Sequence, residues 1–260
     1  MAEDKREYEN AITQVIFEFV ITYCNKNIPP QILNNIPKLR QLINDSLTVY
    51  NKKVPESINQ KMDIILQYEL GDKKITDVSN LPKLNNISVW KGDITTLYID
   101  CIVNAANSQG TGCYFPGHKC IDNIIHSKAG PRMREDCRNI LGKTYIETGN
   151  LIMTLGYNIP ARYVFHVVGP IYKEHNEIDN RILLIKCYLN CLNKLRDIKK
   201  RSIAFCCIST GEYGYPKNEA CVIAVNTVKR WMSENKDYPV HVVFCVYTDE
   251  DQNIYKKIEF

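Results

Sequence analysis

Between residues 8 and 23 the chain places Tyr8, Ala11, Ile12, Val15, Ile16, Phe19, Val20 and Tyr23 at i, i+3, i+4, i+7 spacing. That is the period of one helix face, so the segment is predicted to be an amphipathic helix. Two further helices are predicted to begin at Pro37 and Pro55, each with proline in a first turn. From about residue 85 the pattern changes. Short β-branched runs, ISVW, CIVN, NLIMTL, YVFHVV, SIAFCCI and VHVVFCVY, alternate with helical stretches near 121–140, 178–198, 218–235 and 249–258. Such alternation predicts an α/β layer fold with a largely parallel central sheet and helices on both faces. The expected division is a small all-helical extension over residues 1–84 and an α/β domain over 85–260. Ligands of such sheets bind where loops leave the strand C-termini.

Composition narrows the class without changing that picture. The 260 residues are 45% hydrophobic and 24% charged, as in ordinary globular proteins. No stretch approaches the ~18 uninterrupted apolar residues of a membrane span, and the charged start MAEDKREYEN is unlike a signal peptide. A cytoplasmic location is therefore expected. The cysteines number eleven, an odd count, and without an export signal that argues for reduced thiols rather than a disulfide framework. The first 85 residues hold 11 basic and 11 acidic side chains, so the net charge of +4 lies entirely beyond them. That excess is too small to imply nucleic acid but is compatible with a small anionic ligand.

Two strand-exit loops carry the candidate chemistry. After CIVNAAN the chain reads SQGTGCYFPGHKC, in which Cys113, His118 and Cys120 form C-x4-H-x-C among Gly110, Gly112, Pro116 and Gly117. A turn-rich segment can fold three such donors around one ion, and three ligands with a fourth position open are the pattern of a catalytic zinc. The competing reading is that two cysteines and a histidine merely fall close together in a cysteine-rich chain. The second loop, ISTGEYGYP over 208–216, follows the buried run SIAFCC and precedes a helix. Gly-rich turns feeding a helix start can hold an anion on backbone N–H groups, although G-x-x-G also closes ordinary βα connections.

The other cysteines suggest no second centre. Cys187 and Cys191, with His175-Asn176-Glu177 upstream, superficially resemble the H-x-E and C-x-x-C of a nucleobase deaminase. Their spacing is wrong by one residue, no proline precedes them, and i, i+4 is the period of a packed helix face. Cys101, Cys206, Cys207 and Cys245 lie in strand-like runs, and His166 of YVFHVV is expected in or near the core.

Taken together, VWKGDIT (89–95), VNAAN (103–107), IDNIIHSKAG (121–130) and ISTGEYGYP (208–216) resemble the signature segments of the macrodomain family, in order and at similar spacing over residues 85 to 260. The Cys and His loop resembles that of the family's zinc-containing branch, where other members carry a run of glycines. The resemblance implies a three-layer α/β/α fold that binds ADP-ribose and, for this branch, zinc-dependent removal of mono-ADP-ribose from proteins, with one Zn2+ per chain. It also implies, as a possible partner, a lipoyl-carrier protein modified by a sirtuin-type ADP-ribosyltransferase. Two rivals share the pocket: a reader that binds ADP-ribosyl groups without cleaving them, and a deacylase of O-acetyl-ADP-ribose.

Residue chemistry fits these roles. Asp93 can accept from the adenine amino group while the Ile94 N–H serves a ring nitrogen, and Asp93 also suits a helix cap. Asn107 can donate to and accept from ribose hydroxyls. Ser209, Thr210, Gly211, Glu212, Tyr213 and Gly214 are expected to cradle the diphosphate, and Tyr215 to offer an aromatic face to the distal ribose. Gly110 and Gly112 are expected to replace phosphate contacts of the missing glycine run. Asp122 is either a carboxylate that orients the attacking water or a surface Asp in a helix first turn.

Overall fold

The structure, a computed structural model, describes residues 2–174 and 176–258. His175, part of the superficial H-x-E triplet, lies outside them. The first helix runs over Ala2–Val15 (α1) and continues as a wider π-helical segment over Ile16–Tyr23. It is followed by α2 (Ile36–Val49) and α3 (Glu56–Gly71). Pro37 lies in the first turn of α2, whereas Pro55 caps α3 from outside. Ile12, Val15, Ile16, Phe19 and Val20 meet Leu39 and Ile43 of α2 and Ile58, Met62 and Ile65 of α3 in a core of their own. The apolar stripe of the first helix is thus buried against two partners, the usual source of stability for an amphipathic helix.

The chain then forms β1 (Thr76–Asp77), β2 (Ile87–Lys91), β3 (Leu97–Tyr98) and β4 (Cys101–Ala105), then α4 (Ile121–Ala129) and α5 (Pro131–Leu141). β5 (Leu151–Leu155), β6 (Tyr163–Val167), α6 (Glu177–Asp197), β7 (Ser202–Phe205), α7 (Lys217–Glu234), β8 (His241–Val246) and α8 (Asp249–Lys256) complete it. The main sheet has the order β2-β8-β7-β4-β6-β5. All its pairings are parallel except β5 with β6. β1 and β3 make a separate parallel pair that the sequence pattern did not suggest. α6 and α7 pack together with α8 beside them, while α4 and α5 form the group on which α2 and α3 dock. The sheet and its helices share one large core, which already includes Val78 from the segment before residue 85, with the half-buried Leu81 packed against it. Among the described residues, no helix is long and apolar enough to cross a membrane.

The helical stretch expected over 121–140 is two helices. Gly130 takes φ 97°, which only glycine adopts at little cost, and Pro131 opens α5. The break lets α4 pack against β4 and α5 against β5, while α2 touches α4 and α3 touches α5.

Candidate functional site

Because β2, β4, β7 and β8 run parallel, their exits lie along one edge of the sheet. There the loops that begin at Gly92, Ala106 and Cys206 converge.

The loop after β7 leaves through Ser209, a non-glycine residue at φ 66° whose side chain is packed against Gly169. Gly214 N–H donates to Gly211 O and Tyr215 N–H to Ser209 O, each at 2.9 Å. These bonds close the turn. The N–H groups of Gly211, Glu212 and Tyr213 meet no acceptor among the described residues, so three donors stand ready for an anion at the foot of α7. Tyr215 is 2% exposed and packs on Tyr172, ring centroids 5.0 Å apart. Its ring belongs to the core and offers no face to a ribose, which corrects the expectation for that residue. Tyr213 is the half-buried aromatic of the loop, and its hydroxyl is held above its ordinary range by burial and then by the charges of Asp122 and Glu174. It therefore lies within electrostatic reach of Asp122, a placement the sequence did not reveal.

Asp93 caps a single 3-10 turn, Ile94–Thr96, with Oδ1 accepting from Thr95 N–H at 3.0 Å and from Thr95 Oγ1 at 2.7 Å. The capping role is realised, and the Ile94 N–H has no acceptor among the described residues.

Asn107 is the hub of the loop after β4. Its Nδ2 donates to Gly112 O at 3.1 Å and to Asp122 Oδ2 at 3.2 Å, and its Oδ1 accepts from Gly110 N–H at 3.1 Å. Gly110 and Gly112 are both buried with positive φ, 65° and 85°, and a Cβ on Gly112 would lie 2.9 Å from the His126 ring. Gly112 therefore fits the loop against α4, and Gly110 fits it against Leu141 and Ile146, so both are packed positions rather than an open phosphate site.

Asp122 is 5% exposed, which removes the surface-cap reading. Oδ1 accepts from Asn104 Nδ2 at 2.8 Å and lies 3.6 Å from His126 Nε2. Burial pushes its pKa up to about 6, against the Asn104 hydrogen bond and the Arg134 charge, which hold it down. A carboxylate with donors on both oxygens and a raised pKa is equipped to orient water and take a proton.

The donor atoms of Cys113, His118 and Cys120 lie within 4.8 Å of one another. His118 turns Nδ1 toward Cys113 Sγ at 3.4 Å, and its Nε2 faces the Glu212 carboxylate at 3.3 Å. A histidine with one nitrogen toward thiols and the other held by a carboxylate has the posture of a metal ligand. Cys120 accepts from Asn123 N–H at 3.3 Å as the α4 cap. Burial, opposed by that bond and reinforced by Cys113 and Asp122, pushes its thiol up to about 11. Left alone it would stay protonated, so a cation is what would make it a thiolate. The set fits zinc in number, type and proximity.

Glu212 as the partner of His118 escaped the sequence because the two are 94 residues apart. Asn104 offered a signal, a polar residue in the middle of an apolar strand. A second group, His126, Cys137 and His166, has donor atoms within 4.8 Å but is wholly buried, and His166 is in the core as expected.

A macro domain family model matches residues 103–224. A protein-ADP-ribose hydrolase of Staphylococcus aureus (strain MSSA476) is 45% identical over 194 residues, which cover 73% of each chain. One of Treponema medium is 44% identical over 203 residues, 75% of this chain and 77% of that one. The crystal structure of a Trypanosoma brucei macrodomain in complex with ADP-ribose superposes with a TM-score of 0.65 at 27% identity, covering 82% of this chain and 94% of that one.

Proposed function

The chain belongs to the macro domain family, and we propose that it is a hydrolase that binds ADP-ribose at the strand exits and releases mono-ADP-ribose from modified proteins with the help of zinc. The relatives named as protein-ADP-ribose hydrolases and the ADP-ribose-bound structure support the substrate class. One observation carries the catalytic reading: Asn107 ties the buried Asp122 to the same short loop that presents Cys113, His118 and Cys120.

In this reading the N–H groups of Gly211, Glu212 and Tyr213 hold the diphosphate, and Asp93 with the Ile94 N–H holds adenine. Anchored at those points, the distal ribose extends toward Asn107, Asp122 and Tyr213. When bound by Cys113, His118 and Cys120, zinc supplies a Lewis-acidic position for an oxygen of the distal ribose or of the attacking water. Asp122 orients that water and accepts its proton, and its raised pKa matches the task. Asn107 keeps the loop and the carboxylate in one geometry, so that ordering is complete before the substrate arrives. Eleven free thiols suit a reducing, cytoplasmic setting.

The test is incubation of the purified, zinc-loaded protein with mono-ADP-ribosylated proteins, with and without chelator, reading loss of the modification by mass. A lipoyl-carrier protein modified by a sirtuin-type transferase belongs among the substrates, and O-acetyl-ADP-ribose is the small-molecule comparison. Release that stops with chelator is expected, together with about one zinc per chain. Tight ADP-ribose binding without release from any protein linkage would make the protein a reader.

A further inference from the structure

One side chain joins the helical extension directly to the loop that carries the candidate metal ligands. Arg134, on α5, is 7% exposed. Its Nη1 donates to Leu47 O at 3.0 Å and Thr48 O at 2.7 Å, and its Nη2 donates to Cys113 O at 3.3 Å. The guanidinium also lies over the Tyr114 ring, 4.6 Å from its centroid. A Cβ on Gly112 would come within 3.2 Å of Nη2.

Each contact has a physical reason. Leu47 and Thr48 are in the last turn of α2, where carbonyls lack partners within the helix and the dipole places partial negative charge. That turn contains no basic residue of its own. Arg134 supplies the missing cation and donors from another part of the chain, and a buried guanidinium needs such acceptors in return. The planar fork has fixed angles, so holding the α2 carbonyls on one nitrogen fixes where the other meets Cys113. The loop around Cys113 has no regular structure. Its further side-chain ties include Asn107 at Gly112, Asn123 Nδ2 at Phe115 O, 2.9 Å, and His118 Nε2 at the exposed Glu212 carboxylate, 3.3 Å.

We infer that Arg134 is a positioning residue through which the N-terminal helices set the metal-binding loop, so that the extension works as a brace for the site. The inference rests on the zinc reading above only for its metal readout. Arg138 provides the control: its Nη1 donates to Asn51 O at 2.8 Å, a tie to the same α2 exit that does not touch the loop.

The experiment compares full-length wild type, Arg134→Lys and Arg138→Lys. Lysine keeps the charge but cannot span both sets of carbonyls, so Arg134→Lys stays foldable where Arg134→Ala, with three carbonyls abandoned, need not. Four readouts are taken: zinc affinity by chelator competition, kcat and KM at saturating zinc, ADP-ribose affinity, and hydrogen exchange over residues 111–120. For Arg134→Lys we expect zinc affinity and kcat to fall ~10-fold or more and loop exchange to quicken. KM and ADP-ribose affinity should stay within ~3-fold, since the diphosphate and adenine contacts lie elsewhere. Arg138→Lys should match wild type in the loop. Unchanged loop exchange, zinc affinity and kcat in a folded Arg134→Lys would overturn the inference, as would equal loop effects in both variants. If wild type binds no zinc, the zinc reading fails and loop exchange alone decides this one.

Discussion

Asn104 and His166 stand opposite each other on β4 and β6, and the Asn104 amide donates to His166 Nδ1 at 3.0 Å. Its other hydrogen goes to Asp122, so the same amide ties the carboxylate of the site to a buried histidine. The bond requires His166 to be neutral, with its proton on Nε2 facing Thr154 Oγ1 at 3.0 Å. Protonated, its Nδ1–H would oppose an amide donor.

Stability should therefore fall in acid. Burial lowers His166 to about 3 and holds His126 well below its ordinary range, while the unfolded chain takes up protons near ~6.5. The histidine contribution is complete above ~pH 6.5 and is lost as pH falls from there toward 3. Asp122, raised to about 6, binds its proton first in the folded state and offsets one histidine between about pH 6 and 4. Each histidine contributes a slope of about 1.4 kcal/mol per pH unit within that window. Urea unfolding of metal-free protein at pH 7, 6 and 5 measures it. A flat profile would show that the folded protein accommodates charged histidines.

Asn107→Ala and His118→Ala should each lower turnover by ~100-fold or more while ADP-ribose binding stays within ~10-fold, because the diphosphate and adenine contacts are elsewhere. Asn107→Ala removes three loop hydrogen bonds and should also cost about 1–3 kcal/mol of stability. Calorimetry beside single-turnover kinetics separates the two effects. Equal losses in binding and turnover would place Asn107 in recognition.

Gly211→Glu should nearly abolish ADP-ribose binding with little change in melting temperature. A Cβ there meets nothing within 4 Å and the backbone is not left-handed, so the fold tolerates the side chain. The added carboxylate instead repels a diphosphate seated on the neighbouring N–H groups. Retained affinity in calorimetry would move the diphosphate away from this loop.

Tyr213 and Tyr215 should separate cleanly. Tyr215→Ala empties a buried position and should cost about 3 kcal/mol or more of stability. Tyr213→Ala, half-buried beside Asp122, should leave stability within about 1 kcal/mol and slow turnover ~10-fold or more. The reverse pattern, read by urea unfolding and initial rates, would restore the distal-ribose role to Tyr215.

What the sequence made legible was whatever depends on near neighbours. The main-sheet strands, the amphipathic first helix, the Asp93 cap and the clustering of Cys113, His118 and Cys120 follow from periodicity or from spacing inside one loop. The Gly130 break hid because a helical pattern continues on both sides of it. Tyr215 was misplaced because two tyrosines alternate in a loop whose direction is set by Ser209 at φ 66° and the Tyr215 to Ser209 bond. Asn104 with His166, Glu212 with His118 and Arg134 with Leu47 and Thr48 join residues 62 to 94 positions apart. Only the strand order and the docking of α2 bring them together.

The two hydrophobic cores do not merge, and the seam between them is largely ionic and polar. Arg132 pairs with Glu56 and Asp63, Lys128 with Glu69, and Asn158 with Gln67 and Asp63. Such pairs are weakened by dissolved ions to a degree that apolar packing is not. High salt is then a selective solvent for this molecule, loosening the extension from the sheet domain before either core melts. Heating in strong salt would pass through a species with both cores intact and the seam parted, and a single transition temperature would cease to describe the protein.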